Sequence, residues 1–150
     1  MDLIQLRPIG IIHSPFKTPE ETPKGPHGVE GVSGTVEVFP EYREGLADLD
    51  GFSHIMLVFY MHRSQGYSLK TVPHLDDQPR GLFATRAPRR PNPIGISVVR
   101  LDRIDGTTLH VLNPDIVDGT PLLDIKPYIP EPEDREGIKV GWLTDKIKPA

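Results

Sequence analysis

The sequence contains no cysteine. Disulfides, thiolate-bound zinc, iron–sulfur clusters and thiol catalysis are therefore excluded, which is compatible with a reducing cytosol without proving one; a cytoplasmic protein is expected. There is also no long apolar run. The richest stretch, GFSHIMLVFYM from Gly51 to Met61, is too short and too interrupted to span a bilayer. Met1-Asp2-Leu3 lacks the basic region and apolar core of a signal peptide. No GxGxxG unit joins a strand to a helix, which argues against a doubly wound nucleotide fold, and no GxxxxGK[ST] phosphate loop occurs. Metal ligation has little support. His54 and His62 lie eight residues apart in one strand-like run, or about 26 Å if extended. His13, His27, His74 and His110 have no partner at ligand spacing.

What is present is a chain of 150 residues, the size of one domain, with 17 prolines and 14 glycines. That composition calls for short elements and many turns. Hydrophobic residues make up 37%, enough for a modest core. The net charge of −4 argues against a broad phosphate-tracking surface. The charge is unevenly placed, however. Between Arg80 and Arg103 there are six arginines and one acid, Asp102. An acidic chain with one arginine-dense segment points to a localised anion site.

That segment centres on Leu82–Ser97, LFATRAPRRPNPIGIS. Gly81–Ala84 reads as the end of a strand and Ile96–Val99 as the start of another. Pro88, Pro91 and Pro93 fix their own φ and bias the preceding residues away from helix, so the loop is stiff. Arg86, Arg89 and Arg90 offer planar forks for carboxylate or phosphate. The bland alternative is a proline-rich turn with solvated arginines. A second polar stretch, NPDIVDGTPLLDIKPY (113–128), carries the turn signature Asp118-Gly119-Thr120-Pro121.

The remaining elements follow from periodicity. Arg7–His13 reads as a buried strand, and residues 14–34 as a long loop of the kind that is functional or mobile. Thr35–Phe39 alternates as a half-exposed strand. Pro40–Leu49 reads as a short helix, with Pro40 in its first turn and Gly51 ending it. Ser53–Met61 reads as a central strand covered on both faces. Gln65–Arg80 is loop-like. Asp105-Gly106 predicts a type I′ hairpin between Val98–Ile104 and Thr107–Leu112. Leu122–Tyr128 is the last clear strand. Lys139–Trp142 is either an edge strand or a tail that packs Trp142 on the body. No linker or repeat divides the chain, so one domain over 1–150 is expected. The fold class is mainly β: a small β-barrel-like domain with one short helix and long proline-rich loops, closure being the usual way to remove strand edges.

RAPRRPNPIGIS together with DIVDGTPLLDIKPY resembles the signature of the TrmO-type tRNA methyltransferases. RPIGIIHSPF, PKGPHG and GLADLDGFSHIMLVFYMHRS extend the resemblance over residues 7–130. It implies a β-barrel homodimer with S-adenosyl-L-methionine near the subunit interface. It also implies methylation of N6 of threonylcarbamoyladenosine beside the tRNA anticodon. Positions matching the family's cofactor site are Lys24, Gly25, Pro26, His62, Arg63, Arg86, Ile96, Asp115, Asp118, Gly119, Thr120 and Pro121. Several members carry a further C-terminal domain, which is not expected here.

The residues themselves allow the same chemistry. Asp115 and Asp118 could hold ribose hydroxyls, and the carbonyls around Gly119-Thr120 could face a sulfonium. Arg89 or Arg90, beside Asn92, could fork a substrate carboxylate. Asp124, Lys126 and Tyr128 alternate along one strand and share a face. They could be a base with its tuning groups or a structural ion pair with a solvated tyrosine. Two alternatives remain open: a methyltransferase of the same fold with another substrate, and a non-catalytic S-adenosylmethionine-binding module. No metal and no membrane partner is expected.

Overall fold

The computed structural model describes residues 1–23, 30–131 and 137–147. Six strands close into an antiparallel barrel in the order β1-β2-β7-β6-β3-β8. They are β1 (Gly10–His13), β2 (Ser33–Val38), β3 (His54–Tyr60), β6 (Ile94–Asp105), β7 (Thr108–Leu112) and β8 (Thr120–Pro127). A separate two-residue ladder pairs β4 (Lys70–Thr71) with β5 (Arg80–Gly81). The barrel class expected from the sequence is what forms. Among the described residues, no helix is long and apolar enough to cross a membrane.

Alternation explains the core. On β3 the inward side chains are Ile55, Leu57 and Phe59, all buried. They meet Ile12, Val36, Val38, Leu109, Val111 and Leu122 from the other strands. Each such side chain contributes about 1.5–3 kcal/mol when fully buried. Asp48 adopts the left-handed φ of 69° just ahead of Leu49, which adds to this cluster from below.

Several local expectations change. Pro40–Leu46 winds as a 3-10 helix, not an α-helix. Leu82–Ala84 is a 3-10 turn where the sequence reads as a strand end. Gln65–Arg80 is not entirely loop, because it supplies β4 and the first residue of β5. In the Asp105–Thr108 hairpin, Gly106 has φ +63° while Thr107 does not enter the positive region. That is the type II′ pattern, with glycine at the first central position, and not type I′. Trp142 sits in a 3-10 turn, Gly141–Leu143, docked on the body.

The central strand is not covered on both faces. Its outward side chains Met56, Val58 and Tyr60 stand opposite Val98, Ile96 and Ile94 of β6. Residues directly opposite in an antiparallel pair share a face. The result is an apolar strip on the barrel exterior, with Ile96 59% exposed.

Register also decides where the loops lie. His13 pairs with Thr35, Ser33 with Leu112, Tyr60 with Ile94 and Ile12 with Thr120. These residues therefore mark one rim. The segments 14–32, 61–93 and 113–119 all leave and return there.

Candidate functional site

At that rim, Asp118 ties the 113–119 loop to the stretch that leaves β1. Its Oδ1 accepts from the Ser14 backbone N–H at 3.0 Å, and its Oδ2 accepts from Lys17 Nζ at 2.9 Å. His13 Nδ1 stands 3.6 Å from Oδ1. The Lys17 hydrogen bond, with the Ser14 amide, holds the Asp118 carboxyl below the usual range against a smaller burial penalty. The backbone is equally tied: Asp118 N–H donates to Phe16 O and Gly119 N–H to Ile12 O. Gly119 has φ +81°, which a side chain would strain. Thr120 is buried, its hydroxyl on Val117 O at 2.6 Å, and Pro121 pairs with Ile11.

Arg63 comes from the end of β3, and its Nη1 reaches Lys17 O at 3.4 Å. His62 beside it is neutral near pH 7, since burial and the Arg63 charge both lower its pKa. Met61 N–H donates to Pro93 O at 2.7 Å, so the His62-Arg63 pair abuts Asn92-Pro93.

Asp115 forms a second focus. Ser97 donates its hydroxyl to Asp115 Oδ1 at 2.6 Å. Burial pushes the Asp115 carboxyl up, while Ser97 and the nearby positive charge of Arg86 pull it back. Arg86 itself is exposed. The arginine loop is internally braced. Arg90 Nη1 donates to Thr85 O at 2.9 Å and to Ala87 O at 3.0 Å. Arg90 thus maintains loop shape, whereas Arg89 and Asn92 are exposed.

On this rim the structure forms two groups, one of Asp118, Gly119, Thr120 and Pro121 with Lys17, Arg63 and His62, and one of Asp115 with Ser97 and Arg86. Ile96 lies on the adjoining exterior strip. Lys24, Gly25 and Pro26 lie outside the described residues. Asp124, Lys126 and Tyr128 lie elsewhere. Asp124 is four residues along β8 from Thr120, about 13 Å away. It is paired with Lys126 at 3.0 Å, and Tyr128 packs edge-on against His54 at a centroid distance of 6.4 Å. Among the described residues, no group of three or more His, Cys, Asp or Glu could hold a metal ion.

The sequence reading did not single out Lys17, Ser14 or Ser97. Ser97 had a signal: it is the one hydroxyl at an inward position of a strand otherwise carrying Val99 and Leu101 inward. Lys17 had none, because its partner Asp118 is 101 residues away.

The arginine loop is also tied to the C-terminal segment. Trp142 Nε1 donates to Ala84 O at 2.8 Å, and the Arg80 guanidinium lies 5.8 Å from the Trp142 ring centroid. Arg80 Nε donates in turn to Asp76 Oδ2 at 2.6 Å. That hydrogen bond, with the Asp77 and Gln78 amides, lowers the Asp76 pKa from 3.8 to about 2. The native state thus releases this proton more readily than the unfolded chain. The stabilisation is complete above about pH 5 and is lost as pH falls toward about 2. Asp76→Asn should remove it. Urea unfolding of wild type and variant should show a gap that narrows between pH 5 and pH 2.5; a constant gap would contradict the assignment.

Two carboxylates, several guanidinium groups and a glycine-opened backbone at one barrel rim can hold a compact ligand bearing both charges and a ribose. The fold and site thus define a small closed β-barrel whose rim loops carry clustered carboxylates and guanidinium groups. Residues 11–134 match the family model of the tRNA-methyltransferase O N-terminal domain. The chain belongs to the tRNA-methyltransferase O family. It is 52% identical over 145 residues to a probable S-adenosyl-L-methionine-binding protein of Pyrococcus abyssi, covering 97% of this chain and 79% of that one. It is 39% identical to the tRNA (adenine(37)-N6)-methyltransferase of Escherichia coli, covering 87% of this chain but 60% of that enzyme. The crystal structure of TrmO from Pseudomonas aeruginosa superposes with a TM-score of 0.77 at 37% identity, over 93% of this chain and 62% of that one.

Proposed function

We propose that this chain transfers the methyl group of S-adenosylmethionine to N6 of adenosine 37 in tRNA, and that the acceptor is threonylcarbamoyladenosine. The convergence of Asp115, Asp118, Arg63 and Arg86 on one rim carries this reading. The residues fit the cofactor. Carboxylates suit ribose hydroxyls and an ammonium group, guanidinium suits a carboxylate, and carbonyl oxygens suit a sulfonium. Bound there, the cofactor supplies an activated methyl group. Asp115, preset by Ser97, binds the ribose. Asp118 and Arg86 bind the amino-acid end, while Ile96 and Pro121 wall the adenine. The neutral His62 lines the same site.

Arg89 takes the threonyl carboxylate, with Asn92 beside it and Arg90 holding the loop in shape. The chain works in the cytoplasm as a homodimer, with the strip of Met56, Val58, Tyr60, Ile94, Ile96 and Val98 as its interface. Asp124 and Lys126 pair with Val58 and Met56, so they border that strip. Two-fold pairing carries one copy's β8 toward the other copy's loops. Asp124 then accepts the N6 proton, tuned by Lys126 and Tyr128, because a urea-type nitrogen is a poor nucleophile until deprotonated.

Mass spectrometry of nucleosides tests the reaction. The protein is incubated with the cofactor and tRNA carrying threonylcarbamoyladenosine. One added methyl on that nucleoside is the expected result. Transfer to adenosine 37 lacking the threonylcarbamoyl group would point to another acceptor. Cofactor binding with no transfer would leave a binding protein, as several relatives are named. Arg89→Ala should raise the tRNA KM about tenfold with cofactor affinity unchanged. Equal losses in both would put Arg89 on the cofactor side.

A further inference from the structure

Phe83 is 74% exposed, at the start of the arginine loop, and the cofactor reading leaves it unused. A ring held in solvent gains little from burial, so folding alone gives no reason for its placement. Yet its mounting is firm. Leu82 beside it is only 2% exposed, and its N–H donates to Leu69 O at 2.9 Å. Ala84 on the other side accepts from the Trp142 indole at 2.8 Å. The Arg90 guanidinium stands 5.9 Å from the ring centroid and is itself pinned by Thr85 O and Ala87 O. The result is a fixed aromatic face, backed by a cation and flanked by the exposed Arg86 and Arg89. Phe83 is three residues from Arg86, so their Cα atoms are at most about 10 Å apart.

We propose that Phe83 is a base-stacking platform that receives one unpaired nucleobase of the RNA strand next to the target nucleoside. This rests on the tRNA reading above. Single-stranded loops offer splayed bases, and aromatic rings paired with arginine are the side chains that take them. Every base has a π-face, so the platform fixes the position of the strand without reading its sequence. A second copy of this chain is a poor occupant, because two-fold contact at this loop would oppose arginine to arginine. A polyanion complements the same charge.

Phe83→Ala and Phe83→Trp, in the full chain, test the assignment with an anticodon stem-loop RNA carrying the modified adenosine. Phe83→Ala should weaken RNA binding about 10- to 100-fold, the loss expected for one stacked base. Cofactor affinity and sedimentation should stay at wild-type values. Phe83→Trp should retain RNA affinity to within about threefold, and its emission should be quenched by the RNA beyond the change seen for Trp142 in wild type. Unchanged RNA affinity in Phe83→Ala would overturn the proposal. So would a changed sedimentation coefficient, which would assign the ring to contact between copies. Equal loss of RNA and cofactor affinity would reduce it to a folding role. Wild-type protein that binds the stem-loop through Phe83 but transfers no methyl group would overturn the reaction and keep the platform. Failure of wild type to bind the stem-loop would overturn both.

Discussion

Asp118→Ala should weaken S-adenosylmethionine binding about 10- to 100-fold, the range for losing a hydrogen-bonded charge. The carboxylate carries two loads. It ties the Ser14 amide and Lys17 at the rim, and in the proposed site it presents negative charge to the ligand. Asp118→Asn separates them, since the amide oxygen still accepts from Ser14 while the charge facing Lys17 is gone. Calorimetry should place Asp118→Asn nearer to Asp118→Ala than to wild type, with Tm little changed. Unchanged affinity in Asp118→Ala and in Arg86→Ala together would remove the cofactor from this rim.

Gly10→Ala should be the most damaging single-methyl change in the barrel. Gly10 pairs with Val38 on one side and Leu122 on the other, so it sits in the seam that joins β1 to both neighbours. A Cβ there would overlap the Glu37 carbonyl oxygen and crowd Glu37 C and Val38 Cα at 3.1 Å. Backbone atoms cannot rotate away, so the strands must separate. A cost of about 3 kcal/mol follows from overpacking. Gly95→Ala offers the control. Its Cβ would meet the ring of Phe59, a side chain that can shift, and the loss should be smaller. Urea unfolding orders the two variants; equal stability to wild type for Gly10→Ala would mean that the seam is looser than its register implies.

Much of the barrel was legible because strand alternation is local. The β3 run and the Asp105-Gly106 hairpin carry their own pattern. The errors are local conflicts settled by distant contacts. Leu82–Ala84 has the composition of a strand, yet it turns, with Thr85 N–H donating back to Leu82 O and Ala84 O accepting from the distant Trp142 indole. The apolar outward face of β3 read as a second buried side, since hydrophobicity alone does not say whether a face meets the core or another molecule. The turn at Gly106 was found but its type was not, because strand register makes Gly106-Thr107 the central pair in place of Asp105-Gly106 and so puts the glycine first.

The site divides in the same way. The sequence by itself determined the site's chemistry: a stiff arginine loop, an Asp-Gly turn, no thiol and no phosphate loop. These follow from residue identity and short-range sterics. The tertiary structure decided the partnerships. Strand register sends three long loops to one rim, joining Asp118 to Lys17 and Asp115 to Ser97. It also carries Asp124, Lys126 and Tyr128 down β8 and away from that rim. Pairings across a hundred residues depend on barrel closure, and no local pattern encodes which side chains closure will bring face to face.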